Sequence, residues 1–287
     1  MLLDILKVIL IGIVEGITEW LPVSSTGHMI LVEELFSIEN MSDNFYPVFL
    51  YVIQLGAILA VIFYYFSRLN PFSRKKSAEE KRSTWNMWLL VLIGVVPAAV
   101  AGVLLDDWLD EKLINGGIKC YVVAIALIVY GVLFIVIERL RKGKPNKIEL
   151  AENLDKPTAV KIGLFQVLSI IPGTSRSGST ILGGMSLGVS RTAAAEFSFF
   201  MSIPIMFGVS LLKTGKYAVK SISGEAGYGV TSNEVILLLI GCAVAFVVSL
   251  LTIKFLMDYV KKHSFELFGW YRIAIGFIVI LYFSLVR

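Results

Sequence analysis

The run from residue 45 to residue 66 contains no Asp, Glu, Lys or Arg, and nothing else in the chain limits its fold as much. At about 1.5 Å per residue, a helix of that length crosses a hydrocarbon core of roughly 30 Å. Further apolar segments of similar length recur at 86–105, 118–137, 193–212, 234–257 and 265–286. Lipid leaves backbone polar groups no partner outside the chain, so a spanning segment must be a helix or part of a closed barrel. These segments are too long for barrel strands. The expected fold is an all-α integral membrane protein, a single membrane domain over 1–287 with six full spans. Only 17% of residues are charged, against about 25% in soluble domains. The net charge of +4 lies largely in short loops, so it reports topology, and no nucleic-acid partner is expected.

Two polar stretches interrupt this pattern. Residues 15–28 read Glu-Gly-Ile-Thr-Glu-Trp-Leu-Pro-Val-Ser-Ser-Thr-Gly-His, and residues 172–180 read Pro-Gly-Thr-Ser-Arg-Ser-Gly-Ser-Thr. In sequence, Pro22 matches Pro172, Ser24 matches Thr174 and Ser25 matches Ser175. The helix pattern over 2–18 ends at Glu15, Glu19 and Pro22, and a second short helix begins at the N-cap candidates Ser24, Ser25 and Thr26 and ends near Phe36. Residues 158–171, the turn at 172–180 and a return to about 188 repeat the plan. Each pair of short helices reads as a re-entrant helical hairpin, tolerated at depth only where it is buried or lines a cavity.

Loop charges set the orientation. Arg68, Arg74, Lys75, Lys76, Lys81 and Arg82 form one basic loop, and Arg139, Arg141, Lys142, Lys144 and Lys147 another. The loop between them holds Asp106, Asp107, Asp110 and Glu111, and Lys261 and Lys262 mark a last basic turn. Basic loops lie inside. Each half, 1–140 and 156–287, then has one re-entrant hairpin and three transmembrane helices, about ten helices in all, and the odd number of crossings inverts the second half. An inverted-topology repeat puts polar sites near the midplane.

The chemistry follows from residue types. Glu15 and Glu19 share a helix face, and two carboxylates in a low dielectric call for a divalent cation such as Mg or Ca, a shared proton or an arginine. Arg176, among Ser175, Ser177, Ser179 and Thr180, offers the fork that fits phosphate or pyrophosphate. Gly173 and Gly178 let backbone approach, and the helix starts after both turns favour an anion. His28, three residues after Ser25, neighbours it on a helix and is a candidate base or nucleophile. Ser24, Thr26, Gly173, Thr174, Ser175, Ser177 and Thr180 are the candidate substrate-binding residues. Glu196 either orients Arg176 or faces the interface; Gln54 and Gln166 read as supporting amides. Arg272 reads as a snorkelling cation, Trp20 and Trp108 as interfacial anchors, and His263 as a solvated residue. Cys120 and Cys242 read as small core residues rather than a disulfide. The start Met-Leu-Leu-Asp lacks the basic region of a cleavable signal peptide.

The stretch from Glu15 to His28 resembles the signature of the bacterial undecaprenyl-pyrophosphate phosphatase, or bacitracin-resistance, family. Pro172–Thr180 resembles its second motif, and Gln54-Leu-Gly56 and Glu196-Phe-Ser198 also fit. The resemblance implies an inner-membrane enzyme that converts undecaprenyl pyrophosphate to undecaprenyl phosphate and inorganic phosphate, recycling the cell-wall lipid carrier. It implies a site open to the outer side, a tendency to dimerise, and roles for Glu15, Glu19, Ser25, His28 and Arg176. No organic cofactor is expected. The favoured nucleophile is Ser25 assisted by His28, with His28 itself or a water it activates as alternatives, while Glu15 and Glu19 bind a divalent cation or position the base. The rival expectation is a lipid-phosphate or anion transporter using the same midplane site.

Overall fold

A computed structural model describes residues 1–35, 38–109 and 119–286, apart from the side chains of 34–35, 106–109 and 286. The expected helix end near Phe36, the acidic side chains from Asp106 to Glu111 and the Trp108 anchor lie outside that description.

The described residues form an all-helical chain without a strand. Its helices are α1 (Leu2–Thr18), α2 (Ser25–Leu35), α3 (Tyr46–Tyr64), α4 (Phe66–Leu69), α5 (Ala78–Leu109), α6 (Lys119–Arg141), α7 (Lys156–Val167), α8 (Arg176–Ser186), α9 (Arg191–Ile222), α10 (Ser232–Val260) and α11 (Glu266–Val286). Six of them, α3, α5, α6, α9, α10 and α11, are long and apolar enough to cross a membrane. They coincide with the six runs expected from sequence. The short helix α4 brings the count to eleven.

Caps fix several of the helix starts. The Asp155 carboxylate accepts from the Thr158 N–H at 2.9 Å, with Pro157 in the first turn of α7. At α10 the Thr231 hydroxyl accepts from the Glu234 N–H at 3.2 Å while Glu234 Oε2 accepts from the Thr231 N–H at 2.8 Å. The same glutamate accepts from the Ser42 N–H and hydroxyl, which ties the segment before α3 to α10.

Small residues let the helices meet backbone to backbone. A Cβ on Gly131 of α6 would lie 2.6 Å from the Gly269 carbonyl oxygen of α11, and one on Gly269 would lie 2.7 Å from the Gly131 oxygen. The contact is reciprocal, and it seats α11 along α6. In two further packings, α1 lies on α10 and α7 lies on α5. Gly16 meets Val248 in the first, and Gly163 meets the Gly94 carbonyl in the second. The pairs α1–α2 and α7–α8 thereby pack on long helices along one side, and the main buried cluster runs from Trp20 through Phe197, Phe199 and Phe200 to Phe265.

Candidate active site

The two polar turns end alike, each on a serine of positive φ that precedes a helix. Ser24 has φ 73° and Ser175 has φ 75°, the only left-handed non-glycine residues among those described. Each caps the helix that follows: Ser24 Oγ accepts from the Gly27 N–H at 3.3 Å, and Ser175 Oγ from the Gly178 N–H at 3.1 Å. The backbone therefore pairs Ser24 with Ser175, one position away from the sequence match of Ser25 with Ser175. Ser25 and Arg176 then occupy the same place, the first residue of α2 and of α8.

Glu19 joins the turns. Its Oε1 accepts from Arg176 Nη2 at 2.9 Å and its Oε2 from the Ser25 hydroxyl at 2.8 Å. The Arg176 Nη1 donates to the Ser198 carbonyl at 2.8 Å, and the guanidinium lies 5.7 Å from the Trp20 ring centroid. A cavity of 190 Å³ opens beside this group, lined by Glu19, Ser25, Thr26, Gln54, Gly173, Ser175 and Arg176 together with Ile205, Met206 and Val209 of α9. The sequence-selected residues Glu19, Ser25, Thr26, Gly173, Ser175 and Arg176 thus converge, and Gln54 lines the cavity with them.

Other selected residues have structural partners instead. Ser177 is buried, its hydroxyl donating to the Glu19 carbonyl at 3.3 Å. The Thr180 hydroxyl is satisfied within α8 and by Ser198 at 2.7 Å. Thr174 and Ser24 are buried. His28 does not reach Ser25. Its Nδ1 is 2.8 Å from the Ser24 carbonyl, which fixes Nδ1 as the protonated nitrogen, and its Nε2 is 2.7 Å from the Tyr271 hydroxyl, over which ring it stacks. Burial pushes the imidazole below its usual range, with the Arg272 charge adding to the effect and the Ser24 carbonyl opposing it. The expected Ser25–His28 couple is replaced by a Ser25–Glu19 couple, because Glu19 reaches back across the turn to the hydroxyl.

Glu15 is buried, and its Oε1 has no hydrogen-bond partner. Burial first, then the Glu19 charge, holds its carboxyl well above the usual range, with Arg176 pulling the other way. Among the described residues no three His, Cys, Asp or Glu side chains gather to hold a metal. A magnesium ion needs only one or two carboxylates when substrate phosphates and water complete its shell. Glu15 lies outside the cavity lining, and both Glu19 oxygens are already bonded, so the unpartnered Oε1 of Glu15 is the one carboxyl oxygen here that such an ion could take without displacing a partner.

Three readings change, and of the two alternatives for Glu196 the orienting of Arg176 falls. Arg272 does not snorkel: it is fully buried, and Nη1 donates to the Pro22 carbonyl at 3.1 Å while Nη2 donates to the carbonyls of Gly173 and Thr174 at 2.9 and 2.8 Å. Trp20 is no interfacial anchor; it is fully buried, edge-on to Phe199 at 5.2 Å. Glu196 binds Arg68 at 2.6 Å rather than Arg176, and Arg68 also binds Glu152. Gln166 is fully buried with neither amide atom paired. Arg272 is legible only as an arginine inside an apolar run, and Tyr271 carries no signal in the sequence, because the groups they bond, the two turns and His28, are remote in sequence. His263 is exposed, as expected, and stacks on Tyr259; Cys120 and Cys242 are half-buried and not joined in a disulfide.

Comparison with known proteins adds a third line. The family model described as bacitracin resistance protein BacA matches residues 8–278. The chain is 51% identical over 284 residues to the undecaprenyl-diphosphatase of Desulfitobacterium hafniense, covering 99% of this chain and 97% of that protein. It is 51% identical over 287 residues to the undecaprenyl-diphosphatase of Acetivibrio thermocellus, covering 100% of both. Over 288 residues it is 50% identical to the undecaprenyl-diphosphatase of Lactiplantibacillus plantarum, again covering 100% of both.

Proposed function

The chain belongs to the bacitracin resistance BacA family and hydrolyses undecaprenyl diphosphate to undecaprenyl phosphate and inorganic phosphate, and we propose that it does so in the cavity where Glu19 meets both Ser25 and Arg176. The observation that carries this placement is one carboxylate bonded at the same time to a hydroxyl and a guanidinium.

In this reading Arg176, the Ser175 turn and the N-termini of α2 and α8 hold the pyrophosphate and take up the charge that develops in the transition state. Glu19 accepts the Ser25 proton as Ser25 Oγ bonds to the terminal phosphorus. The bond from that phosphorus to the bridging oxygen breaks, and undecaprenyl phosphate leaves. Water then cleaves the phosphoserine, releasing phosphate and restoring the Ser25 hydroxyl. His28, held between Ser24 and Tyr271, fixes the turn that carries Ser25. Glu15 and Glu19 would hold a divalent cation, which when bound would neutralise charge on the pyrophosphate oxygens. Ser24, Thr174, Ser177 and Thr180 keep the turns in shape rather than touching substrate.

The architecture proposed for this work is the inverted repeat of 1–140 and 156–287. The arms α7 and α8, with 12 and 11 residues, are about 18 Å long, short of a hydrocarbon core of roughly 30 Å. With the basic loops at Arg68–Arg82 and Arg139–Lys147 inside, the first hairpin opens outward from the cytoplasmic membrane, and the site faces the outer side. The homodimer implied by the resemblance belongs to the same reading.

Phosphate release by the purified chain in detergent tests the whole. There are no compartments in detergent, so a transporter alone releases none. Release by the wild type and its loss in Ser25→Ala, Glu19→Gln and Arg176→Lys is the expected result; full release by any of the three would move the reaction elsewhere.

A further inference from the structure

Arg272 is a fully buried guanidinium none of whose donors reaches a carboxylate among the described residues. Its bonds go to backbone carbonyls only, two in the second turn and one in the first. Beneath it lies the Tyr130 ring, 5.5 Å from ring centroid to guanidinium carbon. A buried cation without a counter-charge is strongly unfavourable and is retained where an anion arrives to compensate it. The carbonyls it grips belong to the turns that carry Ser25 and Arg176, so that anion would sit in the adjoining cavity.

The geometry also has a direction. In a trans peptide the C=O and the following N–H point opposite ways. Holding the Thr174 carbonyl at 2.8 Å therefore turns the Ser175 N–H away from Arg272, and Ser175 lines the cavity. Ser175 is also in the left-handed conformation, φ 75°, which a serine keeps only when its surroundings impose it. The same guanidinium reaches Pro22, two residues before the left-handed Ser24.

We infer that Arg272 is a positioning residue that locks the two turns together, aims the Ser175 N–H at the pyrophosphate and supplies an uncompensated positive charge beside it. The inference rests on the reading that this cavity hydrolyses undecaprenyl diphosphate. It separates two contributions: charge, which a lysine keeps once the pyrophosphate sits beside it to hold the ammonium protonated, and the span across three carbonyls, which an ammonium cannot reproduce.

The test uses the full chain in detergent with undecaprenyl diphosphate, comparing wild type, Arg272→Lys and Arg272→Gln. In Arg272→Gln, kcat should fall about 100-fold and KM rise about 5-fold, because charge and geometry are both lost. In Arg272→Lys, KM should stay within about 2-fold of wild type while kcat falls about 10-fold or more. A purely structural role would not separate kcat from KM in this way. Wild-type kcat in the lysine variant overturns the span, and unchanged KM in a folded glutamine variant overturns the charge. Should the glutamine variant fail to fold, as read by thermal unfolding, the lysine variant alone decides. If the wild type itself releases no phosphate, the proposed function fails instead, so the two failures are distinguishable.

Discussion

Ser24 and Ser175 share a backbone conformation, φ 73° and 75°, and each caps its helix by accepting from the N–H of a glycine three residues on. A left-handed L-residue costs about 1–2 kcal/mol, so adopting it twice at matching places needs a reason. The reason is where it puts the next residue. Ser25 follows Ser24 and Arg176 follows Ser175, each starting a helix, and Glu19 bonds to both. In the proposed mechanism, the hydroxyl to be activated and the fork that grips phosphate therefore hold the same position, the first residue of the helix after each turn.

Ser175→Ala should be less stable than Ser175→Gly. Alanine loses the cap, a loss of about 1 kcal/mol, while keeping the left-handed strain; glycine loses the cap but not the conformation. Thermal unfolding in detergent gives the order, and alanine at or above glycine would mean that the turn does not hold φ near 75°.

Glu19→Gln should lower kcat by about 10²–10⁴-fold, since it removes the proton acceptor for Ser25. Arg176→Lys should cost about 10²–10³-fold, because a point charge cannot bridge Glu19 and the Ser198 carbonyl as the fork does. Phosphate release under single-turnover conditions reads both. A larger loss in Arg176→Lys than in Glu19→Gln would shift the main burden from proton transfer to charge stabilisation.

His28 and Tyr271 should separate. Tyr271→Phe removes one bond from Nε2 while His28 keeps its Nδ1 bond to the Ser24 carbonyl, and an effect within about 10-fold is expected. His28→Ala removes the contact that shapes the Ser25 turn and should cost about 10²-fold in kcat. Equal losses in the two variants would place the tyrosine hydroxyl, not the turn, at the centre of His28's role.

The convergence of Glu19, Ser25 and Arg176 was legible in the sequence because polar side chains are costly in an apolar chain, and only a shared site relieves that cost. The six spans were legible for the same reason in reverse. What sequence could not separate was the protein-facing from the lipid-facing side of a helix that is apolar all round. Arg272, on such a helix, therefore reads as a lipid-facing cation although it is fully buried, and Trp20, in the turn after α1, reads as an anchor because residue type alone does not tell a buried indole from an interfacial one. The partners of Arg272 are carbonyls, which every residue carries, so no side-chain pattern could announce them. The pairing of Ser24 with Ser175 was missed by one position because it is a likeness of backbone angles, and the matching prolines and hydroxyls favour the neighbouring register.

The contact between Gly131 and Gly269 gives the last prediction. Each glycine's missing Cβ is the other's space: a methyl on Gly131 would lie 2.6 Å from the Gly269 carbonyl oxygen, and one on Gly269 2.7 Å from that of Gly131. Neither backbone can yield without moving a helix, so Gly131→Ala should cost about 1–3 kcal/mol by overpacking. Gly208 has nothing within 4 Å of its Cβ position, so Gly208→Ala should be neutral or stabilising by about 0.5–1 kcal/mol. The two alanines at 131 and 269 press on one spot, and the helix shift made by the first partly makes room for the second. The double variant should accordingly lose less than the two singles together. Because α11 also carries Tyr271 and Arg272, displacing it should lower phosphate release in the 131 and 269 variants and leave the 208 variant active. Thermal unfolding paired with turnover measures both effects. Full turnover in a destabilised Gly131→Ala would show that the grip of Arg272 on the two turns survives a shift of its own helix.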